Sequence, residues 1–327
     1  MFNVLVTSRM FGKLNPEPIK LLFDKGFDIL DNPFHGKTHS ENELLGLVQK
    51  ADAAICGDDY FSKRVIKKAK NLKILSKYGV GVDRINIEAA TKQGIVIANA
   101  PGSNKHAVAD LAFTLMLSVA RKLREAENVV QNGGWRVVIG RELYNKTLGI
   151  IGFGEIGREV AKRAKGFNVK IVVYDPYVEA TVVKDMGVEL VGIDKLLSQS
   201  DFVSLHLPSL PATKKFIDKH KLSLMKETAY LINTARGDIV DEEALLDALL
   251  DKKISGAALD TLAIEPPINN NLNELNNVIV TPHIGAHTYE ANYIMGMMAA
   301  QNVVDVLEGR KPKYIVNQEV YKYENMG

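Results

Sequence analysis

The sequence predicts an α/β protein built on parallel sheets. Short apolar runs of strand length alternate with helical patterns along the whole chain, and such alternation requires crossover helices that cover both faces of a parallel sheet. A glycine signature, GxGxxG at Gly152, Gly154 and Gly157, lies between a strand pattern and a helix pattern, which is the context in which such a turn receives a dinucleotide.

The elements follow in order. NVLVTS, FDIL, AAIC, KILSKY and IVIAN read as strands, separated by the helical stretches PEPIKLLFDKG, ENELLGLVQK, FSKRVIKKAK and NIEAATKQG. Pro101 and Gly102 then interrupt the series. A single long helix is expected over 103 to 130. Its first half is apolar nearly all round, from Ala107 and Val108 to Leu117 and Val119, so it is buried on every side. Either one domain's core covers it, or a partner subunit does; the second option makes a homodimer an expectation.

A second series starts at 147. TLGIIGFG, KIVVYD, FVSLHLP, AYLINT, ISGAALD and NVIVTPH read as strands. EIGREVAKRAKG, the stretch 188 to 197, KLSLMK and DEEALLDALLDKK supply the material between them. EANYIMGMMAAQNVVDVLEGRK reads as one amphipathic helix, and the tail YIVNQEV is too short to form a domain.

Composition excludes several classes. With 46% hydrophobic and 24% charged residues over 327 positions, the chain is globular rather than disordered. A net charge of +2 without a long basic run makes nucleic acid an unexpected partner. Neither a signal peptide nor an 18-residue apolar run is seen, so no membrane partner is expected. The single cysteine, Cys56, excludes an internal disulfide and suits a reducing compartment; a cytoplasmic protein is expected.

The glycine signature has a physical reading. Gly152 permits the tight turn, Gly154 lets backbone approach a pyrophosphate, and Gly157 allows helix and strand to pack closely, with the anion on the helix amino terminus. Asp175 closes the next strand at about the expected spacing of 20 residues. A carboxylate there accepts hydrogen bonds from ribose hydroxyls and repels a 2′-phosphate. Its neighbours Pro176 and Tyr177 offer no cation to offset it, so NAD is expected over NADP.

With YGVGVD, NAPGSN followed by AVAD, LGIIGFGEIGREVA, LHLP, LINTARGDIVDEEAL, AALDTLAIEPP and TPHIGAHTYEA in this order, nearly the whole chain resembles the D-isomer-specific 2-hydroxyacid dehydrogenases. Its closest pattern is that of their short D-3-phosphoglycerate-dehydrogenase-like members without a regulatory domain. The resemblance implies two doubly wound parallel-sheet domains, a Rossmann NAD-binding domain (103–286) inserted into a flavodoxin-like substrate-binding domain (1–102 and 287–327). It implies an NAD-dependent interconversion of a small anionic D-2-hydroxyacid and its 2-oxoacid.

By position, Arg236 matches the family's substrate arginine; a guanidinium grips a carboxylate through two parallel bonds. His283 matches the acid/base, and Glu265 matches its carboxylate partner, a pairing that favours imidazolium and raises the histidine's pKa. The cofactor contacts implied are Gly152, Gly154, Glu155, Ile156, Gly157, Asp175, Pro208, Thr234, Ala235, Asp260, His283 and Gly285. On the substrate side they are Val80, Gly81, Asn104, Arg236 and His283. The alternative of an NAD-sensing corepressor of the same fold is disfavoured by the presence of Arg236, Glu265 and His283 together.

Two details concern specificity. Where the phosphoglycerate enzymes carry an Arg-Ser pair, this chain has Cys56 and Gly57 followed by Asp58 and Asp59, and two carboxylates are expected to repel a phosphate. Asn292 and His287 also depart from the pattern, and Lys77, Lys105 and His106 are candidate compensating charges. The spacing of His283, His287 and Glu290 would stack three ligands on a helix. Pro282 and Gly285 argue against a helix there, so no metal is expected, and His287 is left either packed locally or reading the substrate's far end.

Overall fold

The structure, a computed structural model, describes residues 2–34, 36–268 and 270–323. The chain divides into two compact units, Met1–Asn104 with Ala286–Gly327, and Lys105–Gly285.

In the first unit, β1 (Asn3–Val6), α1 (Glu17–Asp24), β2 (Asp28–Ile29), α2 (Glu41–Leu47), β3 (Ala53–Cys56), α3 (Lys63–Lys68), β4 (Ile74–Lys77), α4 (Ile87–Lys92) and β5 (Val96–Ala98) succeed one another. The strands form a five-stranded sheet of order β2-β1-β3-β4-β5, with every pairing parallel. This is the flavodoxin-like order, whose switch point lies between β1 and β3. β3 and β4 have no polar alternation because both of their faces are covered, and all eight of their residues are buried. Cys56 ends β3; burial pushes its thiol up to about 12, which leaves it unreactive near neutral pH.

The second unit begins with α5 (Lys105–Ala120) and α6 (Leu123–Gln131), followed by β6 (Thr147–Ile151), α7 (Glu155–Ala164), β7 (Lys170–Tyr174), α8 (Ala180–Asp185), β8 (Glu189–Leu190), α9 (Ile193–Gln199) and β9 (Phe202–Leu205). It is completed by α10 (Lys219–Leu224), β10 (Tyr230–Asn233), α11 (Glu242–Leu250), β11 (Gly256–Leu259) and β12 (Val278–Val280). The seven parallel strands take the order β12-β11-β10-β9-β6-β7-β8. The chain therefore reverses its direction of sheet growth between β6 and β9, and a doubly wound sheet binds ligands at the carboxyl ends of the strands on either side of such a reversal.

The long helix expected over 103 to 130 is two helices. Lys122 takes a left-handed conformation, φ 52°. The Ala120 carbonyl, which a continuing helix would use internally, instead accepts from the Arg141 N–H at 2.7 Å. The apolar surround of α5 belongs to the unit's own core, where Ala109, Ala112, Phe113, Leu115 and Met116 pack with Leu148, Ile150 and Val160. A partner subunit is therefore not needed to explain α5. α6 has no buried residue.

The chain returns to the first unit through α12 (Tyr289–Leu307) and α13 (Val320–Tyr323). Thr288 caps α12, its hydroxyl accepting from the Ala291 N–H at 3.1 Å. Residues 291, 292, 295, 296, 299, 300, 303, 304 and 307 are buried, a stripe with helical period. Beyond α12, the Asn317 side chain reaches back some 220 positions: Oδ1 accepts from the Ile97 N–H at 2.7 Å, and Nδ2 donates to the Ile95 carbonyl and Thr91 Oγ1, both at 2.9 Å. This amide substitutes for a sheet neighbour at the β5 edge. Asn317→Ala leaves a buried N–H and a buried carbonyl unpaired, a cost of about 1–3 kcal/mol for each such group; we expect a melting temperature several degrees lower in a thermal scan.

Candidate active site

The turn from β6 to α7 builds the dinucleotide loop. Gly152 has φ 91°, and a side chain there would meet the His206 carbonyl at 2.6 Å. A Cβ at Gly157 would lie 2.2 Å from the Gly152 carbonyl oxygen, whereas one at Gly154 would meet nothing within 4 Å. Two glycines are thus demanded by the protein's own packing. The third leaves open space over the amino-terminal N–H groups of α7, where a pyrophosphate fits. Glu155 and Ile156 begin that helix. At the end of β7, Asp175 Oδ2 accepts from the Phe153 N–H at 2.7 Å and Oδ1 from the Tyr177 N–H at 2.8 Å, so this carboxylate fixes the glycine turn.

Across the switch point, His206 follows β9. Burial lowers its imidazole to about 3, so the ring stays neutral. Its Nε2 lies 2.9 Å from Ser204 Oγ, while Nδ1 and, after β10, Thr234 Oγ1 are buried without a hydrogen-bond partner. Pro208 lies exposed just beyond His206.

Arg236 leaves β10 through a turn that the sequence reading did not account for. Asn233 Oδ1 accepts from the Ala235 N–H at 3.0 Å and its Nδ2 donates to the Arg236 carbonyl at 2.8 Å. Gly237 must be glycine: a Cβ would come within 1.9 Å of the Leu262 carbonyl carbon. NTARGD carries the signal for both residues, an Asx turn followed by a close approach. The Leu262 N–H, on the segment pressed against Gly237, donates to Glu265 Oε1 at 3.0 Å, and Glu265 Oε2 lies 2.8 Å from His283 Nδ1. Burial raises the Glu265 carboxyl, but the His283 hydrogen bond and charge, the Leu262 N–H and Arg236 together outweigh it, and the group titrates below the usual carboxylate range. A lowered folded-state value means that the pair's stabilisation is present above the unfolded carboxyl's pKa and is lost as pH falls through the folded one.

His283 has φ 55°, uncommon for a residue with a side chain. Asp260, 1% exposed, holds it there. The Asp260 carbonyl accepts the His283 N–H at 2.9 Å. Its Oδ1 accepts from Thr281 Oγ1 at 2.6 Å and the Ile284 N–H at 2.8 Å, and its Oδ2 accepts from the Gly285 N–H at 2.8 Å. His283 and His287 do not share a helix, since α12 begins at Tyr289. Among the described residues, no group of three or more His, Cys, Asp or Glu side chains is placed to hold a metal.

A model of the NAD-binding domain of D-isomer-specific 2-hydroxyacid dehydrogenases matches residues 113–285. The chain belongs to that family. It is 42% identical over 292 residues to the D-3-phosphoglycerate dehydrogenase of Methanocaldococcus jannaschii, covering 88% of this chain and 56% of that protein. With the glyoxylate reductase of Thermococcus litoralis it shares 42% identity over 287 residues, 85% of this chain and 87% of that one. The chain thus spans about half the length of the phosphoglycerate dehydrogenase and most of the reductase. The TT0316 protein of Thermus thermophilus superposes with a TM-score of 0.88 at 35% identity, covering 96% of this chain and 99% of that one.

In this family member, Val80, Gly81 and Asn104 of the expected substrate side lie in the first unit, and Arg236 and His283 lie in the second. Gly79 (φ 133°) turns the chain after β4, and the Val80 carbonyl accepts from Asn99 Nδ2 at 2.8 Å. Among the described residues the N–H groups of Val80 and Gly81 donate to no acceptor, and Asn104 Oδ1 is buried without a partner.

Asp58 and Asp59 do not form the expected pair of exposed carboxylates that would repel a phosphate. Asp59 is 2% exposed, its Oδ1 accepting from the His39 N–H at 2.7 Å and lying 2.9 Å from His39 Nδ1. Asp58 lies 3.1 Å from Lys77 Nζ and 3.9 Å from Arg9 Nη2. One carboxylate is turned inward and the other is flanked by two cations, because residues after a strand alternate in direction. Lys77 is buried, whereas Lys105 and His106 pair with Glu155 and Glu159 at 3.1 and 3.2 Å. Asn292 is occupied in packing: its Oδ1 accepts from Tyr78 Oη at 2.7 Å and its Nδ2 donates to the Thr288 carbonyl at 2.7 Å.

The test of the Asp260 arrangement is Asp260→Asn, which sets an amide donor against a backbone donor. Displacement of the His283 loop is expected to lower kcat for oxoacid reduction about a hundredfold, the order associated with a 1 Å misplacement, with unchanged far-UV circular dichroism.

Proposed function

We propose that the protein is an NAD-dependent oxidoreductase interconverting a D-2-hydroxyacid and its 2-oxoacid, of the phosphoglycerate, hydroxypyruvate or glyoxylate class. The observation that carries the reading is the 2.8 Å contact of His283 Nδ1 with Glu265, in the same unit as the glycine loop. Nδ1 faces the carboxylate, so Nε2 is the nitrogen that acts as acid/base. In reduction it gives its proton to the carbonyl oxygen, and in oxidation it takes that proton back. Glu265 stabilises the imidazolium that results. Arg236 grips the substrate carboxylate and polarises the carbonyl beside it. NADH supplies the hydride.

The nucleotide contacts fall to Gly152, Gly154, Glu155, Ile156, Gly157, Asp175, Pro208, Thr234, Ala235, Asp260, His283 and Gly285. The substrate contacts fall to Arg236 and His283 with the Val80 and Gly81 backbone and Asn104. In this reading the first unit is the substrate-binding domain and the second binds the dinucleotide. The names carried by the relatives support both phosphorylated and unphosphorylated substrates. A corepressor role has no observation in its favour, because the hydride-transfer trio is retained. No helix among the described residues is long and apolar enough to cross a membrane, and a lone buried cysteine fits the reducing cytoplasm.

NADH oxidation against a panel of 2-oxoacids tests the reading, and no turnover with any of them would refute it. His283→Ala should lower kcat about 10²–10⁴-fold, the range of general acid–base contributions. Glu265→Gln should shift the alkaline limb of the reduction profile to lower pH, because the imidazolium loses its carboxylate.

The homodimer is proposed on a different surface from α5. Leu123 and Val130 of α6 are 57% and 56% exposed, and Trp135, Val137 and Ile139 after it are 93%, 83% and 78% exposed. Large apolar side chains exposed in such number over one short stretch mark a protein contact, and a second copy of the chain is the partner we assign to them. Light scattering at micromolar concentration should give twice the chain mass, and Trp135→Glu with Ile139→Glu should give the monomer.

A further inference from the structure

α3 carries a feature that the hydride-transfer chemistry does not use. Its buried side is Val65, Ile66 and Ala69. Helical phase therefore turns Lys63, Arg64, Lys67 and Lys68, with Lys70 just beyond, to the outside. These five side chains line a shallow surface depression that is open to solvent.

The outer face of an amphipathic helix is ordinarily mixed in sign, and this protein follows that habit elsewhere. Lys20 pairs with Asp24, Lys92 with Glu88, Lys162 with Glu159, and Lys221 with Asp218 on their own helices. On α3, by contrast, Lys63 and Lys67, and Arg64 and Lys68, set like charges at i,i+4, an arrangement that destabilises a helix. Lys67, Lys68 and Lys70 have no salt-bridge partner among the described residues, Lys63 has only the more distant charge of Glu88, and Arg64 has only Glu41 at 3.4 Å. The whole chain is +2, so with these five cations set aside the remainder is net negative. A concave surface lined by one sign of charge focuses the field and concentrates counter-ions.

We propose that this hollow binds a small oligophosphate carrying three or more negative charges, at a site separate from the dinucleotide loop. The lining decides the class. Its polar atoms are ammonium and guanidinium donors set beside the apolar stems of the same side chains, with neither an aromatic wall to stack a base nor an acceptor to read a sugar hydroxyl, so what it recognises is condensed negative charge.

Calorimetric titration of the full chain with sodium tripolyphosphate, in saturating NADH to block the glycine loop, tests the assignment. We expect saturable binding at about 50 mM salt that weakens at least about tenfold at about 200 mM, as counter-ion release requires. The variant Lys67→Gln, Lys68→Gln, Lys70→Gln should weaken it by at least a further tenfold, with NADH oxidation and melting temperature unchanged. Absence of binding at low salt, binding abolished by NADH, or equal binding by the triple variant would each overturn the proposal. So would a single-stranded oligonucleotide that binds more tightly than tripolyphosphate, since a long phosphodiester chain would then be the occupant.

Discussion

A carboxylate removed from water must have its oxygens satisfied by hydrogen bonds, and Asp260 meets that requirement with the chain that carries the candidate acid/base. Its side chain takes Thr281 Oγ1 and the N–H groups of Ile284 and Gly285, and its carbonyl takes the His283 N–H. The loop between β12 and α12 is thereby shaped from inside. His283 stays left-handed because the bonds on both sides of it leave the backbone no relaxed alternative, so its ring is delivered to Glu265. A single buried charge couples the end of β11, the end of β12 and the His283–Glu265 pair.

Around that centre, close approaches of backbone do much of the positioning. Gly237 lies against Leu262, which orients the N–H that holds Glu265, so a glycine beside Arg236 sets the carboxylate facing His283. Gly152 and Gly157 are closed in by His206 and by each other, while Gly154 stays open. Two glycines make the turn possible and the third leaves it usable. Asp175 ties this turn to the end of β7, so loop and carboxylate form one structure.

Much of the architecture was legible because parallel strands covered on both faces read as largely apolar runs without polar alternation, and β3, β6, β9 and β10 are such runs. The break at Lys122 was not legible, since it depends on Arg141, about 20 residues ahead, taking the Ala120 carbonyl. α8 was missed for a related reason: six residues with one buried side chain give no measurable period. At the site, Arg236, Glu265 and His283 stood out through ordered motifs. Asn233 and Gly237 did not, because their task is to bend backbone. Asp58 and Asp59 read as two equal charges, and only the fold shows that one is turned in on His39 while the other lies beside Lys77 and Arg9.

The sequence by itself determined the class of sheet, the glycine turn with its following carboxylate, the ordered family motifs, and the exclusion of a helical His283–His287 pair, since Pro282 and Gly285 act on their own neighbours. These are local properties, governed by side-chain pattern and by backbone freedom within a few residues. Tertiary structure alone decided which carboxylates are paired, which face of α5 is covered, and what holds His283 in a left-handed turn. Those outcomes depend on contacts between residues 18 to more than 200 positions apart, and burial, pairing and field strength exist only once such residues are brought together.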